Sequence, residues 1–488
     1  MTEQSGAQAL EAPQSPATGL EPNAIGVAQD TVIGMASSAP AASVGLTLAA
    51  LAAVSAYGSV PIIIVTAIPM LIIANAYRRL NLWNANCGAS FEWVGRAINP
   101  DLGFMTGWLM IAAYIIATVS GVEVLGPSVI AVFSSGSTST WGNIGIATGV
   151  GLVMLIIAVV GIKITARTQV GMAAVEYAIL IGFAIVGLVA VLGHHHGTFA
   201  VTSGWFSLSG IGGKGSVVAG FLSAVFIFTG WDGTVYVNEE VKQRRTNPGR
   251  AAVMAVLLLA VIYVLSQLGL QGAISPGKLT AAGNNGVALT AVAQALGGSG
   301  WAKVMALALA LSVIATTGTG IVLTARLVYG MASYRTLPTF LANVSRRFST
   351  PVAASVIVGF LIVGLAWVYL LTTSVQGAFN DVVAVTGLLF AVFYVLTALA
   401  TMTYYRRRIL RTPWDALTLG ILPLGAAGFL VWMVEQYLQT VATASQDWSL
   451  VGVVALGLIL LFVARFVLRS EFFALPRESY RSDADTSD

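Results

Sequence analysis

The sequence predicts an all-α polytopic membrane protein of about twelve transmembrane helices. Three observations predict it. First, 57% of the 488 residues are apolar and only 9% are Asp, Glu, Lys or Arg, against roughly 25% charged in an ordinary soluble domain. Second, long apolar runs with almost no charge recur from about residue 25 to about residue 470; a run of about 20 such residues crosses a bilayer as a helix. Third, the basic residues are segregated. With the N-terminus placed in the cytoplasm, 21 of the 24 Lys and Arg fall on inside segments, and only Lys214, Lys278 and Lys303 fall outside. The positive-inside rule supports that orientation and an even number of spans. These features exclude a secreted domain, a nucleic-acid binder and a cytosolic enzyme. The lone Cys87 excludes an intramolecular disulfide framework.

Residues 1–22 are rich in Gln, Ser, Ala and Pro and carry Glu3, Glu11 and Glu21 without Lys or Arg. They are expected to be a disordered cytoplasmic tail. With no basic n-region they do not read as a signal peptide. The expected spans are 25–56, 59–77, 102–132, 143–163, 168–193, 217–241, 250–273, 300–333, 352–372, 381–404, 413–437 and 449–469. Residues 274–299 are expected to form a loop with a short helix around 286–296. The polar residues 470–488 are expected to be a disordered cytoplasmic tail. In domain terms, 23–410 form a transport core of helices 1–10, and 411–470 hold helices 11 and 12.

Two spans read poorly as continuous helix. In span 1 the run Gly34-Met35-Ala36-Ser37-Ser38-Ala39-Pro40 contains a proline that removes a backbone hydrogen bond. In span 6 the run Phe228-Thr229-Gly230-Trp231-Asp232-Gly233 places two glycines and an acid in an apolar helix. Pro and Gly often merely kink membrane helices. Here, however, the two interruptions lie five spans apart, and an odd offset inverts the direction of travel. Paired breaks at corresponding places in two inverted halves point to a transporter binding site. Unwound backbone exposes N–H groups that favour an anion and C=O groups that favour a cation, and lipid can satisfy neither.

The same residues carry a family resemblance. Phe226-Ile227-Phe228-Thr229-Gly230-Trp231-Asp232-Gly233, followed by Glu239-Glu240 and Asn247-Pro248-Gly249-Arg250, resembles the sixth-span signature of the amino acid–polyamine–organocation (APC) permeases, amino acid permease branch. Gly88-Ala89-Ser90-Phe91-Glu92-Trp93 with Asn99-Pro100 is similar to the family's lead into span 3. Gly161-Ile162-Lys163 with Gln169 resembles its span 4–5 junction, and Arg326-Leu327 with Tyr329 and Met331 its end of span 8. The resemblance covers roughly residues 25–470. It implies a leucine-transporter-like fold: a 5+5 inverted repeat plus two peripheral helices, working by alternating access. It also implies substrate-binding amides around Ser37, Ser38 and Ala39. Carbonyls around Phe226, Phe228 and Thr229 would take an amino group, with Phe226 as gate and Gly230, Trp231 and Asp232 lining the pocket. The family's usual Gly-Ser-Gly in span 1 is replaced by Ser-Ser-Ala-Pro. Bacterial putrescine importers also carry Pro there, which keeps an amine substrate open.

Intramembrane acids are functional candidates by default. Asp232 is expected to accept a substrate ammonium or to cap the unwound helix. Glu176 stands where sodium-independent relatives carry a lysine that mimics a cation; a carboxyl could instead carry a proton. Thr316 and Thr317, with Thr319, are expected near the cation-coupling region by the same resemblance. Glu123 reads as an interfacial acid near the outer end of span 3. Glu239 and Glu240 fall at the cytoplasmic end of span 6 near Lys242, Arg244 and Arg245, where ion pairing is the simple reading, and they are expected to play a structural or inner-gate role rather than to contact substrate. The run His194-His195-His196 lacks neighbouring acids or Cys and reads as a solvated loop, so no metal is expected, and no cofactor. The glycine-rich run 210–216 lacks phosphate-loop spacing. Gly103/Gly107 and Gly145/Gly149 read as helix packing.

The expected function is a secondary active permease moving amino acids across the plasma membrane, coupled to a proton or another cation. The alternatives are a polyamine or amine importer and an amino acid exchanger. A membrane-embedded enzyme would need a convergent His, Cys or acid cluster, and the three histidines share one loop. The expected partners are an amino acid or amine, the coupling ion and the bilayer, with no nucleic acid and an undecided oligomeric state.

Overall fold

A computed structural model describes residues 19–55, 59–134, 138–194, 198–207, 214–284, 287–372, 377–440 and 442–480. The first span is interrupted where expected. Helix α1 (Val27–Ser37) stops, and α2 (Pro40–Ser55) restarts with the proline at its first position, where a missing N–H removes no helical bond. Ala39, between them, has φ +45°, a left-handed conformation that a non-glycine residue adopts only under constraint. Helix α3 (Ser59–Trp83) is span 2, and the short α4 (Ser90–Ala97) leads into α5 (Pro100–Phe133), span 3. Asn99 caps α5 by accepting from the Asp101 N–H, with Pro100 at the first helical position. Spans 4 and 5 are α6 (Thr140–Val160) and α7 (Ile162–Leu192), hinged at Gly161, whose φ is +141°.

Span 6 is α8 (Lys214–Ile227), then a turn, then a ten-residue 3₁₀ segment, Trp231–Glu240. The turn passes through Gly230 at φ +99°. Span 7 is α9 (Asn247–Leu270). The expected loop contains more helix than anticipated. Helix α10 (Pro276–Asn284) precedes α11 (Ala288–Ser333), which bends at Gly297–Gly298. The part before the bend is the short helix expected at 286–296, and the part after it is span 8. Spans 9 and 10 are α12 (Val352–Thr372) and α13 (Gly377–Tyr404). After the one-turn α14 (Arg406–Ile409) and α15 (Pro413–Asp415), a π-helical turn leads into α16 (Leu422–Thr440). The last span is α17 (Ala444–Phe462).

Among the described residues, 11 helical stretches are long and apolar enough to cross a membrane. The broken first span brings the total to the expected twelve, since α1 and α2 are each too short alone. No strand is present among the described residues beyond a single bridge between Ile25 and Val241. Spans five apart pack on one another: α1 on Trp231–Glu240, α3 on α9, α5 on α11, and α6 on α12. That pairing is what an inverted repeat about a central axis produces. The interior holds Trp93, Trp231, Tyr77, Tyr236, Tyr263 and Tyr394, all fully buried. Large apolar side chains such as Ile156, Phe360, Leu458 and Ile459 are exposed on the outside, as a lipid-facing belt requires.

The expectation of a disordered C-terminal tail is corrected over residues 470–480. Phe472 is fully buried and stacks on Phe91 with ring centroids 4.1 Å apart. Gly95 lies so close that a Cβ there would meet Phe472 at 2.4 Å. Glu478 pairs with Arg96 at 2.7 Å and accepts from Trp83 Nε1 at 3.1 Å. Tyr480 lies beneath the guanidinium groups of Arg408 and Arg411. Polarity suggested disorder, but two aromatic anchors and an ion pair offset the ordering entropy.

Candidate functional site at two facing helix breaks

The two breaks meet. Ser38 Oγ donates to the Thr229 carbonyl at 2.6 Å, and Ser37 Oγ donates to the Gly230 carbonyl. Gly230 is required here twice over: its φ is left-handed, and an added Cβ would lie 2.8 Å from the backbone of Ser37. Tyr263 on α9 donates to the Ile227 carbonyl at 2.7 Å. The carbonyl of Phe226 accepts from the Thr229 hydroxyl at 2.6 Å. The carbonyls released by unwinding span 6 are therefore met by hydroxyls from span 1, span 7 and the break itself, which lipid could not supply.

Span 1 is arranged the opposite way, as a set of donors. The N–H groups of Ser38 and Ala39, expected to face a ligand, turn back onto the carbonyls of Met35 and Ala36. The donors that leave the break belong to the first turn of α2. Ala41 N–H donates to Glu176 Oε1 at 2.9 Å, and Ala42 N–H donates to Ser312 Oγ at 3.4 Å. Glu176, on α7, is fully buried, and its second oxygen has no hydrogen-bond partner. Thr316 on α11 reaches across to the Ala36 carbonyl at 2.8 Å. Thr317 and Thr319 instead bond back to carbonyls of their own helix. Of the coupling candidates, Glu176 and Thr316 hydrogen-bond to span 1, while the Thr317 hydroxyl bonds within its own helix.

Asp232 follows the break in the 3₁₀ segment. It is fully buried and accepts from the hydroxyls of Tyr236 and Tyr394, the latter at 2.8 Å. No Lys or Arg among the described residues pairs with it. Trp231 stacks on Tyr394 at 5.2 Å and meets the edge of Tyr77 at 5.0 Å. Tyr114 adds its ring against Tyr236 and its hydroxyl near the Gly230 carbonyl. A carboxylate walled by aromatic faces and hydroxyls suits an organic cation. Phe228 and Trp231 are fully buried, while Phe226 is half-buried.

Where the lead-in to α1 meets the end of span 6, a second set of buried contacts forms. The simple reading of Glu240 as paired with the Lys and Arg residues that follow it is corrected. Glu240 instead takes Arg326 of α11 in a two-pronged pair at 2.9 and 3.1 Å, with both side chains fully buried. Glu239 accepts the Cys87 N–H at 3.1 Å. Ala24 and Ile25 donate to the Glu240 carbonyl, tying the lead-in to α1 onto the end of span 6. Local sequence could not foresee this, because the cation comes from a helix 86 residues away. Nearby, Glu92 on α4 is fully buried, held by Asn84 at 2.7 Å, and burial raises its carboxyl to about 7.

Several polar groups of the site were not singled out in the sequence. Asp30 in α1 is fully buried, and neither of its carboxylate oxygens has a hydrogen-bond partner; an acid inside the first apolar run was the available signal. Tyr114, Tyr236, Tyr394 and Ser312 carried no such signal, since such residues are common in membrane helices. Glu123 accepts from the Tyr369 hydroxyl at 2.7 Å and is part-buried. Gly103 and Gly107 do pack tightly, against Gly95 and Met331, whereas nothing lies near Gly145 or Gly149. Among the described residues no His, Cys, Asp and Glu cluster could hold a metal. His195, His196 and residues 210–213 lie outside the described residues.

Comparison with known proteins agrees with this architecture. A 140-residue stretch is 32% identical to the Asc-type amino acid transporter 1 of Mus musculus, covering 29% of this chain and 26% of that protein. It is 31% identical over the same length to the large neutral amino acids transporter small subunit 2 of Homo sapiens, covering 29% of this chain and 25% of that protein. The chain thus spans about a quarter of the length of these relatives. A longer match, 21% identical over 344 residues, reaches the D-serine/D-alanine/glycine transporter of Escherichia coli O6:H1, covering 70% of this chain and 71% of that protein. The amino acid permease family model matches residues 29–467. The stretch runs from the third residue of α1 to the end of the last span, and the chain belongs to the amino acid permease family, within the APC superfamily.

Proposed function

We propose that this protein is a secondary active transporter that carries an amino acid across the plasma membrane by alternating access, coupled to a proton through Glu176. The observation that carries the reading is the contact between the two breaks. A row of carbonyls from span 6 faces a helix N-terminus from span 1, with Glu176 lying on that N-terminus. One end suits an ammonium and the other a carboxylate. The names of the relatives, all amino acid transporters, support that substrate class. The buried Arg326–Glu240 pair at the end of span 6 supports the reading as a gate contact, since alternating access needs one side of the site to close in one state. The segregation of Lys and Arg supports cytoplasmic termini.

A specific feature favours a second reading. Asp232 lies buried among aromatic rings without a basic partner among the described residues, which fits an amine that lacks a carboxylate. The purified protein in proteoliposomes, under an imposed inward proton gradient, should concentrate radiolabelled L-alanine above equilibrium. Arginine and putrescine as competitors separate the two substrate classes. Glu176→Gln should abolish the gradient-driven component, and full retention of it removes Glu176 from the coupling. Asp232→Asn should weaken an amine substrate at least tenfold.

A further inference from the structure

The break in span 1 has its hydrogen bonds closed by the protein itself. From Ser38 to Ser43 the backbone donors go to Met35, Ala36, Glu176, Ser312 and Ala39, and Pro40 has none to offer. Four of these partnerships are ordinary protein contacts. The fifth is a carboxylate laid on the N-terminus of a 16-residue helix, the place where the partial positive charge of the helix is greatest. The Glu176 side chain is fully buried and uses one oxygen for Ala41, while the other remains without a donor. It therefore presents to α2 the group that an amino acid would present. The Ser37 and Ser38 hydroxyls do the same for the span 6 carbonyls, supplying O–H donors where a substrate would supply N–H.

We propose that Glu176 is a resident carboxylate that competes with the substrate's own carboxylate for the N-terminus of α2, so that an amino acid binds only as Glu176 gives up Ala41. The proposal rests on the reading of the facing breaks as the substrate site, and it makes Glu176 a specificity-setting residue. Substrates with a carboxylate must displace it, and substrates without one need not. Neutralising Glu176 weakens its hold on the helix N-terminus, which links its displacement to proton uptake.

The test uses the purified full-length protein. In Glu176→Ala the donor of Ala41 is freed, and a small carboxylate should take it. Acetate at tens of millimolar should raise the thermal unfolding temperature of this variant and leave the wild type unmoved, while acetamide moves neither. Glu176→Gln keeps an oxygen on Ala41, so it should fold as the wild type does and ignore acetate. In binding measurements, L-alanine should bind Glu176→Ala at least tenfold more tightly than wild type, and Glu176→Gln more tightly as well. Ethylamine, the same molecule without its carboxylate, should bind all three equally. Acetate acting alike on wild type and Glu176→Ala, or alanine weakening in step with ethylamine, overturns the proposal. Should Glu176→Ala not fold, a Glu176→Gln variant whose preference for alanine over ethylamine equals that of the wild type overturns it too. If acetate selects the Ala variant but neither alanine nor ethylamine binds any form, the resident carboxylate stands and the substrate reading falls.

Discussion

The facing breaks and the Arg326–Glu240 region at the end of span 6 satisfy buried polar groups in different ways. At the breaks the released carbonyls are met by separate single donors, mostly serine, threonine or tyrosine hydroxyls and at some positions a backbone N–H as well. In the Arg326–Glu240 region a guanidinium grips a carboxylate with two parallel bonds, and backbone bonds from Ala24 and Ile25 close over it. Single neutral hydrogen bonds contribute about 1 kcal/mol each and can be exchanged one at a time. A buried two-pronged ion pair breaks as a unit, and removing one partner typically costs about 3–5 kcal/mol. The proposed site is thus built from replaceable contacts and the Arg326–Glu240 region from contacts that give way together, as the proposed binding region and gate would require.

The sharpest way to break this contrast is Gly230→Ala. The substitution puts a Cβ against the Ser37 backbone in a left-handed residue, so the breaks must separate, and uptake in proteoliposomes should fall at least a hundredfold. Next is the Arg326–Glu240 pair. Arg326→Met leaves Glu240 buried and unpaired and should destabilise the detergent-solubilised protein by about 3–5 kcal/mol. Adding Glu240→Leu should restore most of that loss, because no orphaned charge remains. An equal loss in single and double variants would show that packing, not the charge pair, holds this region together.

Glu92 sharpens the comparison through pH. Its carboxyl is raised by burial from 4.5 to about 7. Between those values the folded chain holds a proton that the unfolded chain releases, so stability falls as pH rises through the window. The full drop is about 3 kcal/mol at 1.36 kcal/mol per unit. Glu92→Gln should flatten the melting temperature between pH 4.5 and 8, and an unchanged slope removes Glu92 as its source. The smallest effects come from changes at the breaks that touch a single hydrogen bond or one backbone angle. Ser38→Ala should cost about 1 kcal/mol for its bond to Thr229, and Ala39→Gly should stabilise by about 1 kcal/mol by relieving its positive φ, both read by thermal unfolding.

Much of this was legible in the chain. Hydropathy marked the spans, and Pro40 and Gly230 marked both breaks, because helix rupture is a local property of backbone chemistry. The short helix before Gly297 was also expected, whereas α10 and the unbroken passage through the bend into span 8 were not. The partners of Glu240 and Asp232 were not, since Arg326 and Tyr394 arrive from helices 86 and 162 residues away. The tail was misjudged because composition reports on solvation, and Phe472 and Glu478 are ordered by surfaces on α4 and α11.

By itself the sequence determined that this chain lives in lipid, which way its charges bias it, and where two of its helices cannot continue. Each follows from hydrophobicity, charge or a missing N–H, read over a turn or two of chain. Only the tertiary structure decided what the exposed backbone groups touch: serines across from carbonyls, Glu176 on the N-terminus of α2, Arg326 under Glu240. Hydrogen bonds act over about 3 Å, and only packing brings residues that distant in sequence within that range.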